Sequence, residues 1–185
     1  MALPVEWDRR ARQEAASGAF ERLFLAHYPL VVAIAHRVLG DAHEAEDVAQ
    51  EVFTSFHRRY APDAPFARSW LCAAAAHTAL NTARGKRRRT RREEAEATEF
   101  LGRQAEAQAA LDPQRALEEQ ERANEVRAAL GRLPAKSAAV LVLRYSGLSY
   151  TEVAAALGIG VGQVGTLLRR AEDALHKEIS RAAHR

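Results

Sequence analysis

Residues 93–112 carry only three large apolar side chains, Phe100, Leu101 and Leu111, among Ala, Glu and Gln. Such a stretch cannot bury enough apolar surface to organise a core, so it reads as a linker with helical tendency. It splits the 185-residue chain into two parts, each long enough for a small domain. Charge follows the same division. Residues 1–83 carry 8 basic and 10 acidic groups, 84–92 carry 7 and 0, 93–121 carry 2 and 9, and 122–185 carry 10 and 5. The running balance of −2, +7, −7 and +5 is hidden inside a formal net charge of +3. With 40 Ala against 12 Val and 3 Ile, the chain is rich in the best helix former and poor in β-branched residues. The expected class is all-α, with two small helical domains joined by a charged linker.

Several functions are disfavoured. The single Cys72 cannot form an internal disulfide, and a structural zinc site would need His and carboxylates alone. In an Ala-rich helix a lone Cys reads as a small buried apolar residue. The first 14 residues are charged and show no signal-peptide core, and no apolar run looks long enough to span a bilayer. A reducing, cytoplasmic setting is expected, with no membrane insertion. The seven His are scattered, His43-Glu44 lacks a second His four residues after His43, and there is no nucleophile motif or phosphate-binding Gly loop. The chain therefore reads as a non-enzyme with no cofactor and no small-molecule substrate.

Apolar positions Phe20, Leu23, Phe24, Tyr28, Val31, Val32, Ala35, Val38 and Leu39 recur at spacings of three and four, which predicts a helix over 20–39 ending at Gly40. Asp41 reads as the N-cap of a second helix, to about Tyr60, with acidic residues near its start. Pro62 and Pro65 impose a loop, and Ser69 is expected to cap a third helix ending near Gly85. Asp112-Pro113 opens a fourth, expected to turn Leu117, Val126, Ala129 and Leu130 inward up to Gly131. A fifth runs from Leu133-Pro134 to Ser146-Gly147. Ser149 with Glu152 forms a capping box for a short sixth that stops at Gly158, and a seventh spans about 160–179.

The last two helices have helix-turn-helix spacing. Ala154 is small where the second helix must cross, Gly158 accepts a left-handed turn, and Val164, Leu168, Ala171 and Leu175 point to the core. The opposite face, with Gln163, Thr166, Arg169 and Arg170, is free for a major groove. On these residues alone, two packed helices with a solvated charged face fit equally well.

The string from Leu133-Pro134 through Leu148-Ser149-Tyr150-Thr151-Glu152-Val153-Ala154 and Leu157-Gly158-Ile159 to Arg169-Arg170-Ala171 resembles region 4 of bacterial sigma-70-family sigma factors, in particular the extracytoplasmic-function group. Phe20-Glu21-Arg22-Leu23-Phe24, His27-Tyr28-Pro29, Leu39-Gly40-Asp41, the run from Ala45 to Phe53, and Phe66 with Ser69-Trp70-Leu71 are similar to region 2. The resemblance implies region 2 over 15–92, a linker over 93–112 and region 4 over 113–182. It implies a dissociable specificity subunit that binds RNA polymerase core and promoter DNA and is held by an anti-sigma factor.

Carried over, Asp47, Gln50 and Glu51, with Phe53 beside them, face the polymerase clamp. The three polar residues share one helical face, which a merely solvated acidic surface would also show. The minus-10 element falls to Phe66, Arg68, Trp70, His77, Asn81, Arg84 and Lys86, which offer π surfaces and cations to an unstacked strand. Trp70 fits a core position at least as well. The minus-35 element falls to Ser149, Tyr150, Thr151, Gln163, Thr166, Arg169 and Arg170. The acidic linker either mimics nucleic acid inside a basic channel or is a plain solvated spacer.

Promoter contacts are where the chain departs from the family. Ala73, Ala74, Ala75 and Ala76 stand where basic and polar residues are usual, and His77 and Asn81 replace the usual Asn and Asp. Gly165-Thr166-Leu167 replaces Lys-Ser-Arg in the recognition helix, and Leu167 offers a base edge no donor. Minus-35 binding then rests on Arg169, Arg170, Arg144 and the helix N-terminus at 149–151. Beside a working sigma factor stand two alternatives: a sigma-like interaction protein with poor promoter readout, and an ordinary dimeric helix-turn-helix regulator.

Overall fold

The computed structural model describes residues 5–96 and 113–183. Among the described residues there are seven helices: α1 Val5–Leu39, α2 Ala42–Arg59, α3 Ala67–Glu96, α4 Pro113–Arg132, α5 Ala135–Tyr145, α6 Tyr150–Leu157 and α7 Val161–Ala183. Helices α1 to α3 form one bundle. Its core joins Val31, Ile34 and Val38 of α1, Val48, Val52, Phe53 and Phe56 of α2, and Leu71, Ala75, Ala76, Ala79 and Leu80 of α3. The run of Ala lets α3 lie close to its neighbours, and each fully buried Val, Leu, Ile or Phe contributes about 1.5–3 kcal/mol. Helices α4 to α7 form the second unit, held by Leu130, Leu133, Val140, Leu143, Leu148, Val153, Val164 and Leu168. The two units do not stand apart. Helix α3 packs on α5 and α6, and the buried residues of both units form one continuous cluster.

Local signals account for most helix ends. Asp41 accepts from the Glu44 amide at 2.9 Å, and the Ser149–Glu152 capping box is complete. Gly40 at φ +74° and Gly158 at φ +62° hold left-handed turns that a side chain would strain.

Four expectations are corrected. First, α1 begins well before Phe20 and continues through Pro29, whose exposed ring leaves the missing hydrogen bond on the solvent side. Its segment Gly18–Leu39 also reaches a mean hydropathy of 1.3, long and apolar enough by composition to cross a membrane. Its Val31, Ile34, Ala35 and Val38 are instead buried in the bundle. Second, α3 does not stop at Gly85. Lys86 and the arginines after it are good helix formers, and their sum outweighs the roughly 1 kcal/mol cost of one Gly.

Third, Ser69 is not the cap. α3 has already begun at Ala67, and the Ser69 hydroxyl donates to the Phe66 carbonyl at 2.9 Å. Fourth, Leu117 and Val126 do not point inward, being 56% and 38% exposed, because only the C-terminal end of α4, at Ala129 and Leu130, is buried. The acidic linker lies largely outside the described residues.

Candidate functional site

Three surfaces bring the predicted residues together. On α2, Asp47, Gln50 and Glu51 are all exposed on one face. Phe53 is not part of that surface. At 2% exposure it packs against Phe24 at 4.8 Å between ring centroids, and Phe20 and Tyr28 lie at 6.3 Å. It anchors the helix that displays the polar triad and offers no ring to a partner.

The second surface lies at the start of α3. Trp70 is half-buried, with its ring 5.4 Å from Phe56 and 5.5 Å from Tyr60, and Tyr60 meets Phe66 edge-on at 5.2 Å. Phe66 and Tyr60 form the exposed edge of this cluster, at 43% and 36%, with Trp70 behind them. Packing fixes their orientation, so a stacking base would meet rings that are already ordered. Tyr60 was not singled out from the sequence. Its signal was its place four residues after Phe56, on the same helical stripe.

Trp70, His77, Asn81 and Arg84 recur at spacings of seven, four and three, one line along α3. His77 and Asn81 are exposed on it. Three cations assigned to DNA also have partners within the protein. Lys86 pairs with Glu44 on α2, Arg68 pairs with Glu152 at the start of α6, and Arg84 donates to the Leu133 carbonyl at 2.7 Å and the Gly131 carbonyl at 3.4 Å. Periodicity within one helix says nothing of such distant partners. Arg68 also lies near His27 and Cys72. Burial, with Arg68 adding to it, holds the His27 imidazolium below its usual range, while burial pushes the Cys72 thiol up to about 11 against the pull of Arg68.

The third surface is the hairpin of α6 and α7, whose axes meet at 90°. Val164, Leu168 and Ala171 are buried and Gln163, Thr166, Arg169 and Arg170 are exposed. Gln163 turns back to accept from the Gly160 amide at 3.2 Å, which caps α7. Leu167 is half-buried, packed against the core and also lining the cavity on the exposed face. Around the exposed face, Lys136, Gln163, Thr166 and Arg170 line a shallow cavity of about 380 Å³. Ser149, Tyr150 and Thr151 are exposed at the N-terminus of α6, and the Arg144 guanidinium lies 5.6 Å from the Tyr150 ring centroid. On the far side of α7, Arg132 donates to Glu178 at 2.6 Å, which, with Arg181, holds that carboxyl below the usual carboxylate range.

Among the described residues, an all-helical fold with an acidic helix face, an aromatic edge and a cationic helix-turn-helix fits the layout of a two-module nucleic-acid-binding protein. The comparisons with known proteins specify which. The family model for Sigma-70 region 2 matches residues 23–89, and that for Sigma-70, region 4 matches residues 123–175. The RNA polymerase sigma-H factor of Pseudomonas aeruginosa is 32% identical over 167 residues, covering 87% of this chain and 86% of that protein. The ECF RNA polymerase sigma factor SigW of Bacillus subtilis is 31% identical over 159 residues, covering 79% and 81%.

The chain belongs to the sigma-70 family of RNA polymerase sigma factors, in its extracytoplasmic-function group. It is a subunit that binds RNA polymerase core and directs promoter-specific initiation. Two solved structures share the fold. CnrH in complex with the cytosolic domain of CnrY superposes with a TM-score of 0.55 at 24% identity, covering 94% of this chain and 97% of that one. Sigma factor RpoE of Bartonella quintana, in complex with the anti-sigma factor NepR, gives 0.50 at 20%, covering 87% and 96%.

Proposed function

We propose that residues 15–92 act as region 2, 93–112 as the linker and 113–182 as region 4 of a cytoplasmic sigma factor with no catalytic activity of its own. Asp47, Gln50 and Glu51 dock on the polymerase core. Phe66 and Tyr60, backed by Trp70, receive unstacked minus-10 bases, with His77 and Asn81 on the same line of α3. Arg169 and Arg170, with the amides at 149–151, hold minus-35 phosphates. The observation that carries this reading is the exposed Phe66–Tyr60 edge at the start of α3, packed edge-on at 5.2 Å and backed by Trp70.

Control by an anti-sigma factor is part of the proposal. It is supported by the shared fold of a sigma factor bound to one. A second reading, polymerase binding with weak minus-35 readout, is favoured by Leu167, a half-buried side chain with no hydrogen-bond donor where a base-reading side chain is usual. An ordinary helix-turn-helix regulator leaves the region 2 match over 23–89 unused.

Runoff transcription with purified core polymerase on a promoter library tests this. Promoter-specific transcripts are expected from the wild type and are lost in Asp47→Ala/Gln50→Ala, together with core binding but without loss of fold. Normal core binding by that variant removes the assignment of α2. Transcripts that do not depend on the minus-35 sequence favour the second reading.

A further inference from the structure

A cavity of about 710 Å³ lies apart from the three surfaces above, where the C-terminal end of α1 meets α4, α5 and α7. Its floor is apolar. Leu130, Leu141 and Val142 are buried there, and exposed Val126 and half-buried Leu175 complete it. Around the floor stand Arg37, Arg122 and Arg127, with His36 and His176, against a single carboxylate among the described lining residues, Glu172. Glu172 already accepts from the Tyr145 hydroxyl at 3.0 Å, and Arg122 has Glu118 at 3.9 Å. The other two guanidiniums hold only neutral acceptors: Arg37 donates to the Ser146 hydroxyl at 3.3 Å and Arg127 to the Asn124 side-chain carbonyl at 2.8 Å. Arg127 lies over Gly40, one turn past Arg37, so both charges stand at the end of α1. The helix dipole there offers about half a negative charge against two positive ones. Burial also holds the Arg127 guanidinium below its usual value, as expected of a cation with no counterion.

We propose that this cavity is a binding site for an anionic amphiphile, a single long-chain carboxylate whose head pairs with Arg37 and Arg127 and whose tail covers the Val126, Leu130 and Leu175 floor. Its volume falls in the range of small-ligand sites, about 300–1,000 Å³, and its lining has their character, apolar with a few placed polar groups. A guanidinium fork matches a carboxylate with two parallel hydrogen bonds. The alternatives fit less of the site. A free phosphate would leave the apolar floor wet, and a neutral lipid would leave the two guanidiniums unanswered.

The test uses the full chain and dodecanoate, kept below its micelle concentration, followed by titration calorimetry and by Tm. One molecule per chain is expected to bind and to raise Tm. Across octanoate, decanoate and dodecanoate, affinity is expected to rise by up to about fourfold per methylene as the tail covers the floor. Dodecyltrimethylammonium has the same tail and the opposite head. It is expected to bind about tenfold more weakly, the worth of a charge-assisted hydrogen bond. Arg37→Gln/Arg127→Gln is expected to lose a similar factor for dodecanoate, and Val126→Asp, at an exposed position, to weaken it by adding a like charge. Circular dichroism of the unliganded variants checks their fold.

Equal affinity for the two heads, or undiminished dodecanoate binding in a folded Arg37→Gln/Arg127→Gln, overturns the head site. A flat response to chain length overturns the floor. Both the head comparison and the chain-length series are read on the wild type, so they decide the matter even if the arginine variant loses its fold. Absence of saturable binding overturns the proposal outright. So does self-association in sedimentation that Val126→Asp abolishes, since a second copy would then cover the groove.

Discussion

The two surfaces proposed to meet nucleic acid are built by opposite means. At the start of α3, four aromatic residues, Phe56, Tyr60, Phe66 and Trp70, lock one another, and the exposed edge is rigid because the buried one is. On α7 the exposed face is made of the polar and charged side chains Gln163, Thr166, Arg169 and Arg170 around Gly162 and Gly165. The first surface suits shape and stacking, and the second suits charge. The lesson is that, on the proposed assignment, altering the first surface costs core integrity, whereas the second can be altered with little effect on the fold.

The largest expected effect breaks the first surface from behind. Phe56→Ala removes a ring that is 0% exposed and is expected to lower unfolding stability by about 3–5 kcal/mol in chemical denaturation, and to abolish strand binding with it. Equal stability to wild type would mean that the cluster does not depend on its buried member. Next, Phe66→Ala leaves the fold intact but weakens single-stranded DNA binding by about 1–3 kcal/mol, the usual worth of one stacked base. Fluorescence anisotropy on the full chain reads it.

Third, Arg169→Ala/Arg170→Ala is expected to reduce the slope of log affinity against log salt on duplex promoter DNA by about 2, with sequence preference unchanged. A changed preference with an unchanged slope would make α7 a base reader. The smallest effect is Gly165→Ala. A Cβ there meets Tyr150 at 3.6 Å, ordinary contact, so the gain in helix propensity of about 1 kcal/mol should appear as a raised Tm.

The far side of α7 gives a pH test of the same contrast. Glu178 titrates below its ordinary value in the folded chain, chiefly through Arg132. Its contribution is therefore complete above the unfolded carboxylate range and is lost as pH falls through the folded value. Glu178→Gln should flatten the acid limb of a stability curve, and His27→Gln should flatten the slope just below the ordinary imidazole range, where the lowered His27 makes stability fall with pH. If both variants kept the wild-type slope, neither group would be setting the pH response.

What the sequence made legible was local. Asp41, Ser149 with Glu152, and the turns at Gly40 and Gly158 follow from chemistry within four residues, and the structure places each as expected. Gly85 misled because a single breaker was weighed without the helix formers after it. Leu117 and Val126 misled because helical spacing tells which residues share a face, not whether a neighbour covers it. The candidate site was half legible. Exposed Asp47, Gln50, Glu51, Arg169 and Arg170 could be read from their faces, but the partners of Arg68, Arg84 and Lys86 lie 42 or more residues away, beyond any periodic signal.

Cys72, 1% exposed with its thiol held protonated, has no role in any of these surfaces. That makes it a built-in clock. A thiol reagent can reach it only when α3 lifts from its neighbours, so the rate of alkylation at neutral pH reports how often this helix opens. The same tube, with polymerase core or DNA added, would show whether engagement slows or quickens that motion, with no label introduced into the protein.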